Sequence, residues 1–364
     1  MKLFIEPMDV WLFRNNKPFD AGSEHQAASL FPPSPQVLAG VIRSHHLVIN
    51  DVDLRRPDRE KIKQLVGTAV KPPEGFRLRG PVVARREQSR IVRYYPLPAD
   101  AIWLKQEGAV ASYQARQPAG YAKGPRTNLP DGLQLLWRRP YDLSKGQAIP
   151  GGVWLTEDDL QTYLVQGAVP TQNVIPGSEL FTTEMRLGIH RDDITRASKS
   201  EMLYEVGFIR LREQVGLMVE VEGLAGLDQW PETGVFSIGG ENRAARFCRL
   251  TEDKIAPWPR QEMTSQCRFK IYFFTPACFN EGWRPTTWAD WFKAPPRLVG
   301  AALSRPQLLG GHDLAEGRPK PARRYIPAGA VYFFEGQPEL KANQTTLTTH
   351  GATLGFGQFM IGRW

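Results

Sequence analysis

Thirty prolines and 33 glycines are spread through 364 residues, and this punctuation sets the first limit on what the chain can fold into. Proline removes an amide donor and clashes with the preceding helical turn, and glycine costs backbone entropy in regular structure. Long uninterrupted helices are therefore not expected. Met1 to Phe13 alternates as a strand. Gln36 to Asn50, with Pro35 at its start and Val37, Leu38, Val41 and Ile42 on one side, reads as a helix, and of its His45-His46 pair one must point toward the core. Phe76 to Leu104 is predicted as a long arginine-rich hairpin or insertion. Ala109 to Gly177 is weakly periodic and reads as loops and insertions with one short helix near Glu157 to Leu164. Leu203 to Leu224 reads as two strands around Glu213-Gln214. Ser265 to Thr275 and Tyr325 to Phe334 read as strands, and Arg297 to Ser304 as a helix. A glycine-rich loop leads into the last strand.

One pattern occurs twice. Pro35 to Ser44 and Pro295 to Ser304 share P-x-x-L-x-G-x-x-x-S, each after an aromatic-rich strand. Two such openings suggest two related α+β halves. The boundary falls in the link Ala256-Pro257-Trp258-Pro259.

Composition narrows the partners. A hydrophobic fraction of 41% with ten tryptophans describes a packed globular protein. The formal charge of +8 favours a polyanionic partner, because clustered Lys and Arg attract phosphates and release counterions. Cys248, Cys267 and Cys278 are too few and too scattered for a disulfide framework or a tetrahedral zinc site. Glu6 and Asp9 near the start argue against a signal peptide, and no apolar run reaches the roughly 20 residues that cross a bilayer. A soluble cytoplasmic protein without metal or cofactor is the expectation.

Three stretches have the chemistry of a phosphate grip. At the C-terminus Gly351, Gly355, Phe356 and Gly357 form a loop whose glycines permit positive φ and whose successive amides can cradle an anion. A tight turn feeding an edge strand explains the same residues. Arg77, Arg79, Arg85, Arg86, Arg90 and Arg93 crowd one segment that ends in Tyr94-Tyr95. Arginine forks pair with phosphates and tyrosine faces stack on unpaired bases, although a solvated hairpin has the same composition. Arg318, Lys320, Arg323 and Arg324 lie close in sequence to the glycine-rich end. A fourth stretch, Glu184 to Arg196, mixes Arg186, His190, Arg191, Asp192, Asp193 and Arg196. It is open to a metal reading, an acid–base reading with His190 and Glu184, or a plain turn. Trp283, Trp288 and Trp291 are candidates for an exposed interface.

The order of several blocks resembles a known family. They are Asp9 to Gly22, Leu30 to Pro35 with Ala39 to Ser44, Glu184-x-Arg186-x-Gly188-Ile189, Leu203-Tyr204 with Phe208 to Leu211, and Ile238 to Glu241. Gly310 to Asp313, Ile326 to Phe333 and Gly355-Phe356-Gly357 complete the set. Together they are similar to the third subunit of the Cmr complex, the type III-B CRISPR effector, within the RAMP superfamily. The resemblance implies an α+β fold of two ferredoxin-like (RRM-like) domains with β-hairpin and loop insertions. These would be 1–256, with insertions at about 70–180, and 257–364, ending in the glycine-rich loop and last strand. It also implies a non-catalytic subunit that holds the 5′ tag of the crRNA and joins the large polymerase-like subunit to the backbone RAMP subunit. Target RNA is met only indirectly, and no membrane is involved. The glycine loop at Gly351, Gly355 and Gly357 corresponds to the family's phosphate-contacting loop. Arg14, Lys17 and Arg43 lie in the N-terminal blocks, and Arg186, His190 and Arg191 in the Glu184 block, as candidate RNA contacts by residue type. His312 stands where the Gly-Gly-x-Asp element is expected to carry an aromatic.

Two other readings stay open on sequence alone. One is a metal-independent RAMP endoribonuclease for CRISPR repeat RNA, using His25, His190 or His350 on a 2′-OH. The other is a scaffold that binds only proteins.

Overall fold

The computed structural model describes residues 1–14, 26–56, 58–68, 71–88, 90–106, 109–119, 129–130, 132–137, 146–148, 152–167, 169, 174–191, 198–258, 267–313 and 316–364. Strands dominate, as the proline and glycine content requires. Eight form one antiparallel sheet in the order Ile175–Pro176, Val153–Thr156, Arg90–Pro96, Arg77–Glu87, Val215–Glu222, Lys2–Pro7, Ala244–Arg249, Thr233–Ser237. Four form a smaller antiparallel sheet in the order Arg297–Ala302, Val331–Glu335, Arg268–Phe273, Phe359–Gly362. Four strands of the large sheet, taken in chain order, are Lys2–Pro7, Arg77–Glu87, Val215–Glu222 and Ala244–Arg249; across the sheet they lie fourth, first, third, second. The small sheet repeats that order.

Helices are few. Pro35 opens α1 (Pro35–Ile49), which buries Leu38, Ala39, Ile42 and Leu47 against Leu3, Ile5, Val83, Leu217 and Val219 of the large sheet. The Asp58 carboxylate caps α2 (Arg59–Val66) by accepting from the amides of Glu60 and Lys61. In α3 (Glu157–Gln166) Thr156 accepts from the Asp159 amide, three acids occupy the first turn, and Gly167 closes the end in the left-handed region. Although α3 lies early in the chain, its Leu160, Tyr163 and Leu164 pack on Tyr272, Phe333 and Met360 of the small sheet. The other face of that sheet, with Phe269, Ile271, Phe273 and Phe334, is covered by Phe279, Trp288, Trp291 and Phe292.

Several expectations change. Arg297 to Ser304 is a strand, Arg297–Ala302, and not a helix. Its Leu298 and Val299 are buried on opposite faces, and Leu136 fills the space where a Gly300 Cβ would stand. The helix place on that sheet is already taken by α3. The strand expected over Tyr325 to Phe334 divides at Pro327 and Gly329 into Arg318–Tyr325 and Val331–Glu335. Ala109 to Gly177 does contain the short helix, but also Val153–Thr156, which joins the large sheet. Trp288 and Trp291 are core, at 5% and 7% exposed, rather than interface.

The His45-His46 pair lies against Trp230, Phe236 and Phe247. His46 is buried and its Nδ1 accepts from the Trp230 indole at 3.3 Å; the His45 ring meets Trp230 edge-on at 4.7 Å. Burial lowers the pKa of both imidazoles below the ordinary 6.5, and for His45 the neighbouring His46 adds to the effect. The unfolded chain therefore binds protons that the folded chain refuses, so this part of the stability is complete above pH 6.5 and is lost as pH falls through it. Urea unfolding midpoints at about pH 7.5 and about pH 5 are expected to differ less in His45→Phe than in the parent chain. An unchanged difference would place the acid sensitivity elsewhere.

Candidate nucleic-acid interface

The glycine loop meets the basic hairpin. Gly351, Gly355 and Gly357 all have positive φ, at 73°, 98° and 68°, and between the first two lies the short 3-10 turn Ala352–Leu354. Inside the loop the Leu354 amide donates to Gly351 O at 2.9 Å, and the Gly357 amide to Pro276 O at 2.7 Å. The amides of Gly351, Ala352 and Thr353 have no hydrogen-bond partner among the described residues, and Ala352 and Thr353 are exposed. Phe356 is 1% exposed and its ring lies 4.6 Å from Tyr325. It cannot stack on a base; it pins the loop to the hairpin instead.

That hairpin pairs Gln307–Asp313 with Arg318–Tyr325. Tyr325 turns inward, and Arg323, two residues earlier, shares its face. The Arg323 charge, after burial, lowers the pKa of His350, whose Nε2 is 2.6 Å from Asn280 Oδ1. Arg324 is on the opposite face, whereas the register shift between Leu309 and Gly311 returns Lys320 to the face of Arg323. Burial and then Arg43 lower the Lys320 pKa, while Asp313 opposes them. Arg43 itself donates to Gly67 O at 3.2 Å and Thr68 O at 2.8 Å, and burial lowers its pKa against the pull of Asp313. The hairpin is further held by Gln36 Nε2 donating to Gly310 O. Arg14 lines a cleft with Leu308, Leu309 and Gly310 of the same hairpin. Arg14, Arg43, Arg323, Arg324 and the glycine loop are thus gathered around one hairpin.

Other sequence candidates lie elsewhere. Arg85 donates to Glu179 O at 2.5 Å and sits 5.7 Å from the Tyr94 ring. Arg86 pairs with Glu6 at 3.3 Å. The glycine loop touches the other end of their strand, at Leu78 and Gly80; Arg85 lies five residue steps beyond Gly80, roughly 17 Å. Arg186 belongs to an ion network with Asp9 and Glu184, which also engages Arg210 and Arg243. Hydrogen bonds from Arg210 and then Arg186 hold the Glu184 carboxyl at about 2. The Phe208 ring lies 5.0 Å from the Arg186 guanidinium and 4.7 Å from that of Arg243. With Glu241 on Arg243, three arginines face three carboxylates, so this network offers little net charge to a phosphate. His190 and Arg191 end the strand Phe181–Arg191, their side chains outside the described residues, as are Lys17, His25 and Arg196. Asp9, Arg210, Arg243 and Asn280 escaped sequence reasoning because their partners are remote in the chain.

Among the described residues no group of three His, Cys, Asp or Glu is placed to hold a metal, and no helix is long and apolar enough to cross a membrane. Cys248, Cys267 and Cys278 are free thiols.

Residues 3–364 match the family described as CRISPR-associated protein (Cas_Cmr3). No match is found among curated proteins. Similar solved structures include a chain of the type III-B Cmr-beta complex bound to cognate target RNA, seen by cryo-electron microscopy. Identity is 13% and the TM-score 0.49, over 92% of this chain and 86% of that one. A chain of the type III-A Csm3–Csm4 subcomplex is similar at 9% identity and a TM-score of 0.37, over 93% of this chain and 98% of that one.

Proposed function

The chain belongs to the CRISPR-associated Cas_Cmr3 family, the third-subunit family of the type III-B Cmr effector, and we propose that it holds the 5′ tag of the crRNA there without catalysing a reaction. In this reading it also joins the large polymerase-like subunit to the backbone RAMP subunit. The observation that carries it is the meeting of two elements distant from one another in kind: the basic hairpin and the glycine loop, locked by the Tyr325–Phe356 contact. Arg323 and the unpartnered amides of Gly351 to Thr353 then offer one strand a guanidinium and a set of backbone donors. The fourth–first–third–second strand order in both sheets supports two ferredoxin-like units, divided near Ala256 to Pro259, in which α1 is retained and α3 serves the second unit from the first. The His350 imidazole is engaged by the Asn280 amide oxygen rather than by an acid–base partner, which favours binding over cleavage.

The test is RNA affinity of the full chain against salt. Arg323→Glu with Arg324→Glu is expected to weaken binding to repeat-derived single-stranded RNA at least about tenfold and to flatten the log–log salt slope by about 1.4, near 0.7 per phosphate contact. Arg85→Glu with Arg86→Glu is expected to change affinity less than about twofold. Equal losses from the two pairs would remove the hairpin from the interface. Repeat RNA incubated with the chain in chelator should stay intact; cleavage abolished by His350→Ala would favour the endoribonuclease instead.

A further inference from the structure

A cavity of about 460 Å³ opens beside the glycine loop, on the seam between the two sheets. That lies within the roughly 300–1,000 Å³ of small-ligand sites. One wall is the end of the strand pair Arg77–Glu87 and Val215–Glu222, where Arg77 faces Glu222 and Arg79 faces Glu220 across the ladder. Opposite charges in direct register normally pair. Here neither couple forms an ion pair among the described residues. Arg79 instead lies over the Trp258 ring at 4.0 Å, and Glu220 accepts the Trp258 indole N–H at 2.9 Å. Arg77 and Glu222 are exposed at the cavity wall and form no hydrogen bond or close ion pair among the described residues, although the Glu222 charge acts on the neighbouring Arg79. Across from them stand Asn343 and Thr353, the latter carrying one of the unpartnered loop amides. Such a cavity presents an anion-binding fork and a strong acceptor to the same guest.

We propose that this cavity holds one nucleotide of the bound RNA, its phosphate on Arg77 and an exocyclic amine of its base on Glu222. The inference rests on the RNA-binding reading above and adds base discrimination to it. Cytosine, adenine and guanine carry an exocyclic amine, and uracil does not. A carboxylate facing uracil meets only carbonyl oxygens at the positions where cytosine and adenine donate, so uracil is disfavoured there.

Fluorescence anisotropy of the full chain with labelled octamers of cytidine and of uridine tests this. The parent chain is expected to bind the cytidine octamer about tenfold more tightly than the uridine one. Glu222→Leu should bring that ratio close to one while leaving uridine binding intact or slightly stronger, which also reports that the variant is folded. Arg77→Met should weaken both octamers by a similar factor and keep their ratio. Equal binding of the two octamers by the parent chain, or a ratio that survives Glu222→Leu, overturns the pocket and leaves RNA binding standing. No binding of either octamer overturns the RNA-binding reading, and the pocket with it.

Discussion

Arg93→Ala is expected to lower the unfolding free energy by about 3–5 kcal/mol, the cost of breaking a buried ion pair from one side. Arg93 is fully buried in the strand Arg90–Pro96. Its Nε donates to Glu157 Oε2 at 2.6 Å, and its Nη2 donates to Ala256 O at 3.0 Å and Pro257 O at 2.8 Å. Its guanidinium lies 4.4 Å from the Trp258 ring. One side chain therefore ties the large sheet to the first turn of α3 and to the link that precedes the small sheet. Removing it leaves a carboxylate and two carbonyls stranded. Burial already raises the Glu157 pKa, and Arg93 opposes that rise. Without Arg93 the pKa climbs further, so protonation relieves the variant: its deficit should be larger at about pH 7 than at about pH 5. Arg93→Met with Glu157→Met is expected to recover most of the loss, because a pair removed together strands nothing. A deficit under about 1 kcal/mol in urea unfolding, or one as large in the double variant, would contradict this account.

Arg93 also shows where sequence reasoning stops. It stands in a run with Arg85, Arg86 and Arg90 that looks uniform, and the whole run reads as phosphate-binding or solvated. Its fate is decided by Glu157, 64 residues later, and no local pattern announces that partner. Arg186 fails in the same way, since Asp9 and Glu184 neutralise it across remote segments. Local features were legible. The proline-opened α1, the capped α3 and the turn at Glu213-Gln214 depend on neighbours within a few residues, and each stands close to where it was expected. The misread strand Arg297–Ala302 has the apolar spacing of a helix. Its state depends on whether a sheet edge or a sheet face is vacant, and that is a property of the whole fold.

The glycine loop was legible for its conformation but not for its seating. All three glycines have the positive φ that the loop reading requires, yet Phe356, read as a contact for RNA, belongs to the core. The aromatic was visible in sequence; its Tyr325 partner on the hairpin was not. The effect is that a glycine-rich stretch is anchored by a buried ring, and its free amides follow directly on His350, on which the Arg323 charge acts.

The clearest consequence falls on Gly355. Its φ is 98°, and a Cβ there would stand 2.7 Å from Gly80 O and 3.0 Å from Leu78 O. Both are backbone atoms of a strand in the middle of the large sheet, and neither can step aside cheaply. The seat is tightened by Gln358, whose Oε1 accepts from the Gly80 amide at 2.9 Å and whose Nε2 donates to Leu78 O at 2.7 Å. Gly355→Ala thus carries two costs: about 1–2 kcal/mol for an alanine in the left-handed region and about 1–3 kcal/mol for the overlap. Gly282 separates the two, because its φ is 110° and nothing lies within 4 Å of its Cβ position. Gly282→Ala is expected to bear only the backbone cost, so its unfolding midpoint should fall clearly less than that of Gly355→Ala. The Gly355 variant should also lose RNA affinity, because relief of the overlap moves the amides of Gly351 to Thr353 away from Arg323. Equal midpoints for the two variants would mean that the loop does not press on the strand, and the fixed geometry of the anion site would go with it.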